Sequence, residues 1–220
     1  MTIPWEDKIT NRQQEILIGS LLGDGRLECR SVEGRARFRV HHADSQKDLL
    51  FWKYKEFKEL VLREPWIHER LDKRYNRFYK SWFFHTVTTK LFTPLYRLFY
   101  NRNKKCVPRD IVKYLTPLAC AVWIADDGCR TDHELILNTQ SFTLTEQEIL
   151  LNAISKRFDV NGTINKDRNN FRLRFNTVNA IKLRDLIQQI DMPLLHSKLV
   201  PVTTNLLSNR LVAGIPIREN

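Results

Sequence analysis

The sequence predicts an α+β protein built as a pseudo-twofold duplication, each half running αββαββα with an antiparallel sheet. Three observations carry that prediction. A small and apolar stretch, IGSLLGDG (Ile18 to Gly25), ends on acid-Gly, and AVWIADDG (Ala121 to Gly128) does the same, with Asp127 lying 103 residues after Asp24. The segments downstream of the two stretches match in order: RARFRVHHADSQKDLLFWKYKEF and ELILNTQSFTLTEQEILLNAISKRF both alternate like a strand and then turn amphipathic. Two closing landmarks also recur. Phe84 to Val87 and Phe175 to Val178 both read Phe-x-Thr-Val, 91 residues apart, and Lys105 to Pro108 and Lys198 to Pro201 both read Lys-x-Val-Pro, 93 apart.

Each element has a local reason. The first motif helix is expected to stop at Gly23-Asp24-Gly25, because both residue types tolerate the backbone angles that end a helix. In Arg35 to Val40 the arginines 35, 37 and 39 fall on one strand face, with Ala36, Phe38 and Val40 on the other. An amphipathic helix comes next, and then a strand that closes on Phe84 and leads to another helix. The second half repeats this, with Phe171, Leu173 and Phe175 opposite Arg172, Arg174 and Asn176. The predicted halves are residues 1–100 and 115–201. A connector at 101–114 carries Asn-Arg-Asn-Lys-Lys and Pro108, and a tail at 202–220 lacks clear periodicity.

The 220 residues include 36 Lys and Arg against 25 Asp and Glu, a net charge of +11 without a basic tail or low-complexity tract, so the excess is spread over the folded surface. That distribution suits a nucleic-acid binder better than a membrane-surface protein. No apolar run approaches the ~20 residues that span a bilayer, and the N-terminus has no signal-peptide pattern, so a soluble, intracellular chain without a membrane partner is expected. The four cysteines have no CxxC or Cys/His ligand spacing and read as reduced, mostly buried thiols.

Small residues in the motif helices (Gly19, Ser20 and Gly23; Ala119, Ala121 and Ala125) allow their backbones to approach closely. A pseudo-twofold between them would set Asp24 beside Asp127. Two carboxylates at helix C-termini repel each other and oppose the helix dipole, so a cation is needed there. Oxygen-only ligands suit a hard ion such as Mg²⁺, in the arrangement used for in-line phosphodiester hydrolysis. The same twofold would pair Lys105 with Lys198 near that site, to stabilise phosphate charge or to position the attacking water. The sheet faces supply a DNA-tracking surface of Arg26, Arg30, Arg35, Arg37, Arg39, Arg77, Lys80, Arg130, Asn138, Lys166, Arg168, Arg172 and Arg174.

LIGSLLGDG and CAVWIADDG resemble the nine-residue signature of the LAGLIDADG homing endonucleases in their single-chain, two-motif form. The resemblance implies the homing-endonuclease fold, a monomer that grips a long asymmetric duplex and cuts both strands with Mg²⁺, with Mn²⁺ or Ca²⁺ substituting for binding. It implies Asp24 and Asp127 as metal ligands, with the carbonyls of Gly23 and Asp126 as helpers. Lys105 and Lys198 correspond to the family's basic active-site residues and Gln140 to its solvent-ordering one. In the first half His42, Asp44 and Gln46 all lie near the position that matches Gln140. The function implied is a double-strand DNA endonuclease promoting intron mobility, in an organelle (mitochondrion or chloroplast) or a microbial cytoplasm. The alternatives are an RNA-splicing maturase that binds intron RNA and a transcription factor that has lost its acids, the latter disfavoured by the retained Asp24 and Asp127.

Overall fold

The structure, a computed structural model, describes residues 9–29 and 34–200, so Arg30, Pro201 and the tail lie outside the described residues. Helix α1 (Asn11–Leu22) begins at a capping box: Thr10 Oγ1 accepts the Gln13 amide at 3.1 Å, and the Thr10 amide donates to Gln13 Oε1 at 3.0 Å. Strands β1 (Arg26–Cys29) and β2 (Ala36–Ala43) lead to α2 (Lys47–Glu56), then to β3 (Trp66–Asp72), β4 (Arg77–His85) and α3 (Thr93–Phe99). A short ladder of β5 (Tyr100–Asn101) and β6 (Lys104–Lys105) comes after α3. The order then repeats as α4 (Pro117–Asp127), β7 (Gly128–Arg130), β8 (Leu135–Leu137), α5 (Leu144–Phe158), β9 (Thr163–Asp167), β10 (Asn170–Phe175) and α6 (Thr177–Ile187). A single-turn helix α7 (Leu195–Lys198) closes the described chain. The first sheet is ordered β1-β2-β4-β3 and the second β7-β8-β10-β9, both antiparallel, so the duplicated αββαββα fold is present as expected.

The halves meet at the motif helices. Every residue from Leu118 to Asp126 is buried, which is why α4 is apolar all round where α1 keeps a polar first turn. At their crossing Gly19 lies so close to α4 that a Cβ there would come within 2.3 Å of the Ala119 carbonyl oxygen and 2.7 Å of Val122 Cβ. A glycine is required because nothing larger fits between the two backbones.

Three expectations need correction. Neither Gly23 nor Gly25 takes a positive φ; at Gly23 the need is for room, since a Cβ would lie 2.6 Å from Asp126 Cβ. The Phe-x-Thr-Val landmark plays two parts: Thr177 opens α6 directly under an Asn176 cap, whereas Thr86 is still bonded to β2 through Phe38 and α3 starts only at Thr93. Of the cysteines only Cys120 is buried; Cys29 and Cys106 are half-buried, Cys129 is exposed, and all four are free thiols. Among the described residues no helix is long and apolar enough to cross a membrane.

The crossing makes a prediction. Gly19→Ala should shift the urea midpoint by the equivalent of about 1–3 kcal/mol of lost stability, the usual cost of overpacking a closed core. Wild-type stability in that variant would mean that the helices do not cross this closely.

Candidate active site and nucleic-acid interface

The close crossing delivers two acidic corners to one place. Asp24 sits in the turn after α1, its side chain 43% exposed, while Asp126 and Asp127 are the last two residues of α4. Partial burial, together with the charges of Asp24 and Asp126, pushes the Asp127 carboxyl up to about 8. Burial acts in the same direction on Asp24, but His42, Lys53 and Lys105 outweigh it and hold Asp24 below the usual carboxylate range. The charge of Asp24 thus acts on Asp127, and the two acids are set apart in acidity.

Lys105 lies beside the first corner. Its Nζ donates to the carbonyls of Gly23 at 2.7 Å and Gly25 at 2.9 Å, from the two-stranded ladder rather than from a loop. Burial lowers its pKa against the pull of Asp127, Asp126 and Asp24. The Gly23 carbonyl, expected to help hold a cation, is thus already an acceptor for this ammonium. Lys198 is not its mirror image. It ends α7, lines a surface cavity with Cys129, Arg130, Thr131 and Asp132, and makes no hydrogen bond to the second corner among the described residues. Gln140 donates to Asp167 Oδ2 at 2.8 Å and lies 3.4 Å from Asn138 Oδ1, and Asn138 Nδ2 in turn donates to the Asp127 carbonyl at 3.0 Å.

Of the three first-half residues near the Gln140 position, His42 is the one that faces the acids. Its Nδ1 is 3.5 Å from Asp24 Oδ2 and its Nε2 is 3.6 Å from Asp126 Oδ1; the ring is buried, and neither nitrogen has a hydrogen-bond partner among the described residues. Asp44 instead accepts a bond from Trp82 Nε1 at 2.8 Å, and Gln46 is a half-buried residue at the start of α2. Asp24, His42 and Asp126 offer ligand atoms within 4.8 Å of one another. Asp126, however, is already engaged by the fully buried Lys53, whose Nζ lies 2.6 and 2.7 Å from its two oxygens. A divalent ion at the histidine cluster would therefore have to displace Lys53 from Asp126.

The outward faces of the sheets carry most of the expected surface. Arg26, Arg37 and Arg39 share the outer face of the first sheet, gathered by Glu28 at 2.8, 2.7 and 3.0 Å. Burial alone would raise Glu28, but those arginines bring it down to about 2. Arg77 lies over Tyr79 on that face, and Arg35 is exposed just before β2. In the second sheet Arg172 and Arg174 point outward, Arg174 Nε donating to Glu134 at 2.8 Å, and Arg168 occupies the exposed β9–β10 turn. Three residues fall on the other side. Lys80, paired with Glu69 at 3.1 Å, shares the face of Phe84; Lys166 shares that of Leu173; Arg130 shares that of Leu135 and donates to the Ser197 carbonyl at 2.9 Å. Strand period two is the reason, since Lys80 is three residues from Arg77 and must face the opposite way. Asn138 is committed to Asp127 rather than to an outer face.

Residues 14–183 match the LAGLIDADG DNA endonuclease family across both corners and both sheets. The chain belongs to that family. Among its relatives, DNA endonuclease I-ChuI of Chlamydomonas applanata is 29% identical over 170 residues, which cover 72% of this chain and 78% of that protein. The cytochrome b mRNA maturase bI2 of Debaryomyces hansenii is 30% identical over 155 residues, 69% of this chain and 59% of the maturase. A solved structure of the homing endonuclease I-WcaI bound to its DNA recognition sequence has a TM-score of 0.82 at 25% identity, covering 90% of each chain.

Within this LAGLIDADG chain, sequence reasoning missed Lys53 and Glu28. Lys53 sits in LLFWKYKE, where its spacing from Leu49 and Leu50 puts it on the buried face; that spacing was the available signal. Glu28 is two residues from Arg26 on β1 and so shares its face, which places it among the arginines.

Glu28 gives a pH prediction. Its folded value is below the ordinary 4.5, so its contribution to stability is present above that pH and is lost as the pH falls toward about 2. Wild type should be more stable than Glu28→Gln at pH 6, and the gap should close by pH 2 in thermal melts. A gap independent of pH would show that the arginines do not hold this carboxylate.

Proposed function

We propose that this chain is a site-specific double-strand DNA endonuclease that hydrolyses phosphodiester bonds with a divalent cation, Mg²⁺ by preference, at a long asymmetric target and so promotes intron mobility. The observation that carries the reading is the coupled pair Asp24 and Asp127 between two sheets whose outer faces bear arginine. An acid pushed up to about 8 by burial and by its acidic neighbours is relieved when a cation joins the site. The likeness to I-WcaI, a homing endonuclease bound to DNA, and the similarity to I-ChuI support the same substrate.

On this reading Asp24 and Asp127 hold the ions, which supply Lewis acidity and a nucleophilic water when bound. Lys105 fixes the Gly23-Asp24-Gly25 corner through its two carbonyl bonds and adds positive charge where the phosphate becomes more negative. Gln140 is held by Asp167 with its amide close to the second corner, where it orients solvent. The outer arginines grip the backbone and read base edges, and Glu28 and Glu134 pre-set their directions. The halves act as one unit each, residues 1–100 and 115–201, joined by the connector at 101–114, in a monomer. A second reading, binding of intron RNA as a splicing maturase, is favoured by the 30% identity to the maturase bI2.

The decisive test incubates the protein with its intron-less insertion-site duplex with and without Mg²⁺. Asp24→Asn and Asp127→Asn should each slow cleavage at least about a hundredfold, the scale of losing a preorganised group at a reacting centre. A wild-type chain that cuts nothing in a randomised duplex library yet binds intron RNA contradicts the endonuclease reading. Lys105→Ala should slow cleavage far more than it weakens binding, and more than Lys198→Ala does. Equal effects of the two lysines would return Lys198 to the active site.

A further inference from the structure

The two motifs differ at the residue just before the shared acid. Where the second has Asp126, the first has Gly23, and the two residues meet: a Cβ on Gly23 would lie 2.6 Å from Asp126 Cβ and 2.7 Å from its Oδ2. The Asp126 side chain thus occupies the space that a Gly23 side chain would fill. There it is fully buried and bonded to first-half residues. Lys53 Nζ reaches both of its oxygens at 2.6 and 2.7 Å, the Asp24 amide donates to Oδ2 at 3.3 Å, and His42 Nε2 stands 3.6 Å from Oδ1. The other nitrogen of the same imidazole, Nδ1, lies 3.5 Å from the Asp24 carboxylate.

We infer that Asp126, Lys53 and His42 form a positioning set for Asp24 alone, so that cutting of one strand depends on a buried network that cutting of the other lacks. The inference rests on the endonuclease reading above. The network meets Asp24 at two points: its amide, which donates to Asp126, and its carboxylate, which the His42 ring faces at 3.5 Å. The second corner has no equivalent among the described residues, because the residue that would reach across to Asp127 is Gly23, which has no side chain. Asp127 is instead steadied at its carbonyl by Asn138. A buried Lys–Asp pair is seldom a net source of stability, since desolvating both ions offsets their attraction and an apolar pair of similar size often serves as well. Its presence is better accounted for by what it orients. A duplex backbone has the same approximate twofold as the protein, so each corner faces one scissile phosphate and a defect at Asp24 falls on one strand.

The test monitors both strands, each end-labelled, in single-turnover cleavage of the insertion-site duplex by Asp126→Asn, His42→Ala and the double variant Lys53→Met/Asp126→Asn, which removes both buried charges together. In each, the same strand should slow by about tenfold to a hundredfold relative to the other, the scale of a small misplacement at a reacting centre, and nicked duplex should accumulate. Lys53→Arg should keep the strand ratio closer to wild type than Lys53→Met does. The ratio is read within the folded, active molecules, so a partly unfolded variant lowers both amplitudes and leaves it unchanged. Equal slowing of the two strands, or an unchanged ratio in all variants, overturns the inference while leaving the endonuclease reading intact. A wild-type chain that cuts neither strand overturns both.

Discussion

The contact on which the rest of the structure depends is the approach of two helix backbones at Gly19 and Ala119. Because Gly19 has no side chain, its backbone lies against the Ala119 carbonyl, and the ends of α1 and α4 are brought together. Asp24 and Asp127 belong to separate halves and separate motif helices, and this crossing is where those helices meet. The cost of that contact is offset by the surrounding apolar residues, Ile16 to Leu22 on one side and Leu118 to Ala125 on the other, all but Gly19 and Ser20 hydrophobic and all of them buried. Packing therefore comes first, and the acidic site is its consequence.

Charge is distributed by the same logic at two scales. At the centre three acids converge, and the protein supplies one buried lysine and a half-buried lysine in partial compensation. Lys53 satisfies Asp126, while burial and the neighbouring acids raise the proton affinity of Asp127. On the sheets the imbalance is reversed, because arginines outnumber the glutamates that gather them. Glu28 and Glu134 do not cancel that surface; they hold flexible guanidinium groups at set directions and reduce the entropy lost on meeting a polyanion. A site short of positive charge lies between surfaces that have it in excess, which suits a phosphodiester brought in with its cation.

The duplication was legible because repetition is a property of order, and four landmarks in one order survive differences in loop length. The motif acids were legible for the same reason. Side-chain partners were less so. Lys53 reads as one of several lysines in an amphipathic helix until the fold shows that Asp126 lies opposite it. Asp126 and Asp127 are adjacent carboxylates with the same chemistry, and only helix geometry sends one inward to Lys53 and leaves the other at the corner. Lys80, Lys166 and Arg130 were placed by charge, whereas their side is set by strand parity. The expected symmetry of Lys105 and Lys198 fails because identical Lys-x-Val-Pro patterns leave different structures, a two-stranded ladder in one half and a single helical turn in the other.

The account turns on where a divalent cation binds. Crystals of the protein with an uncut target duplex, soaked in Mn²⁺ and measured at its absorption edge, locate the ion directly by anomalous scattering. The account predicts peaks within coordinating distance of the carboxylates of Asp24 and Asp127, with Asp126 still held by Lys53. A peak enclosed instead by Asp24, His42 and Asp126, with Lys53 displaced, or none at either acid, would contradict it.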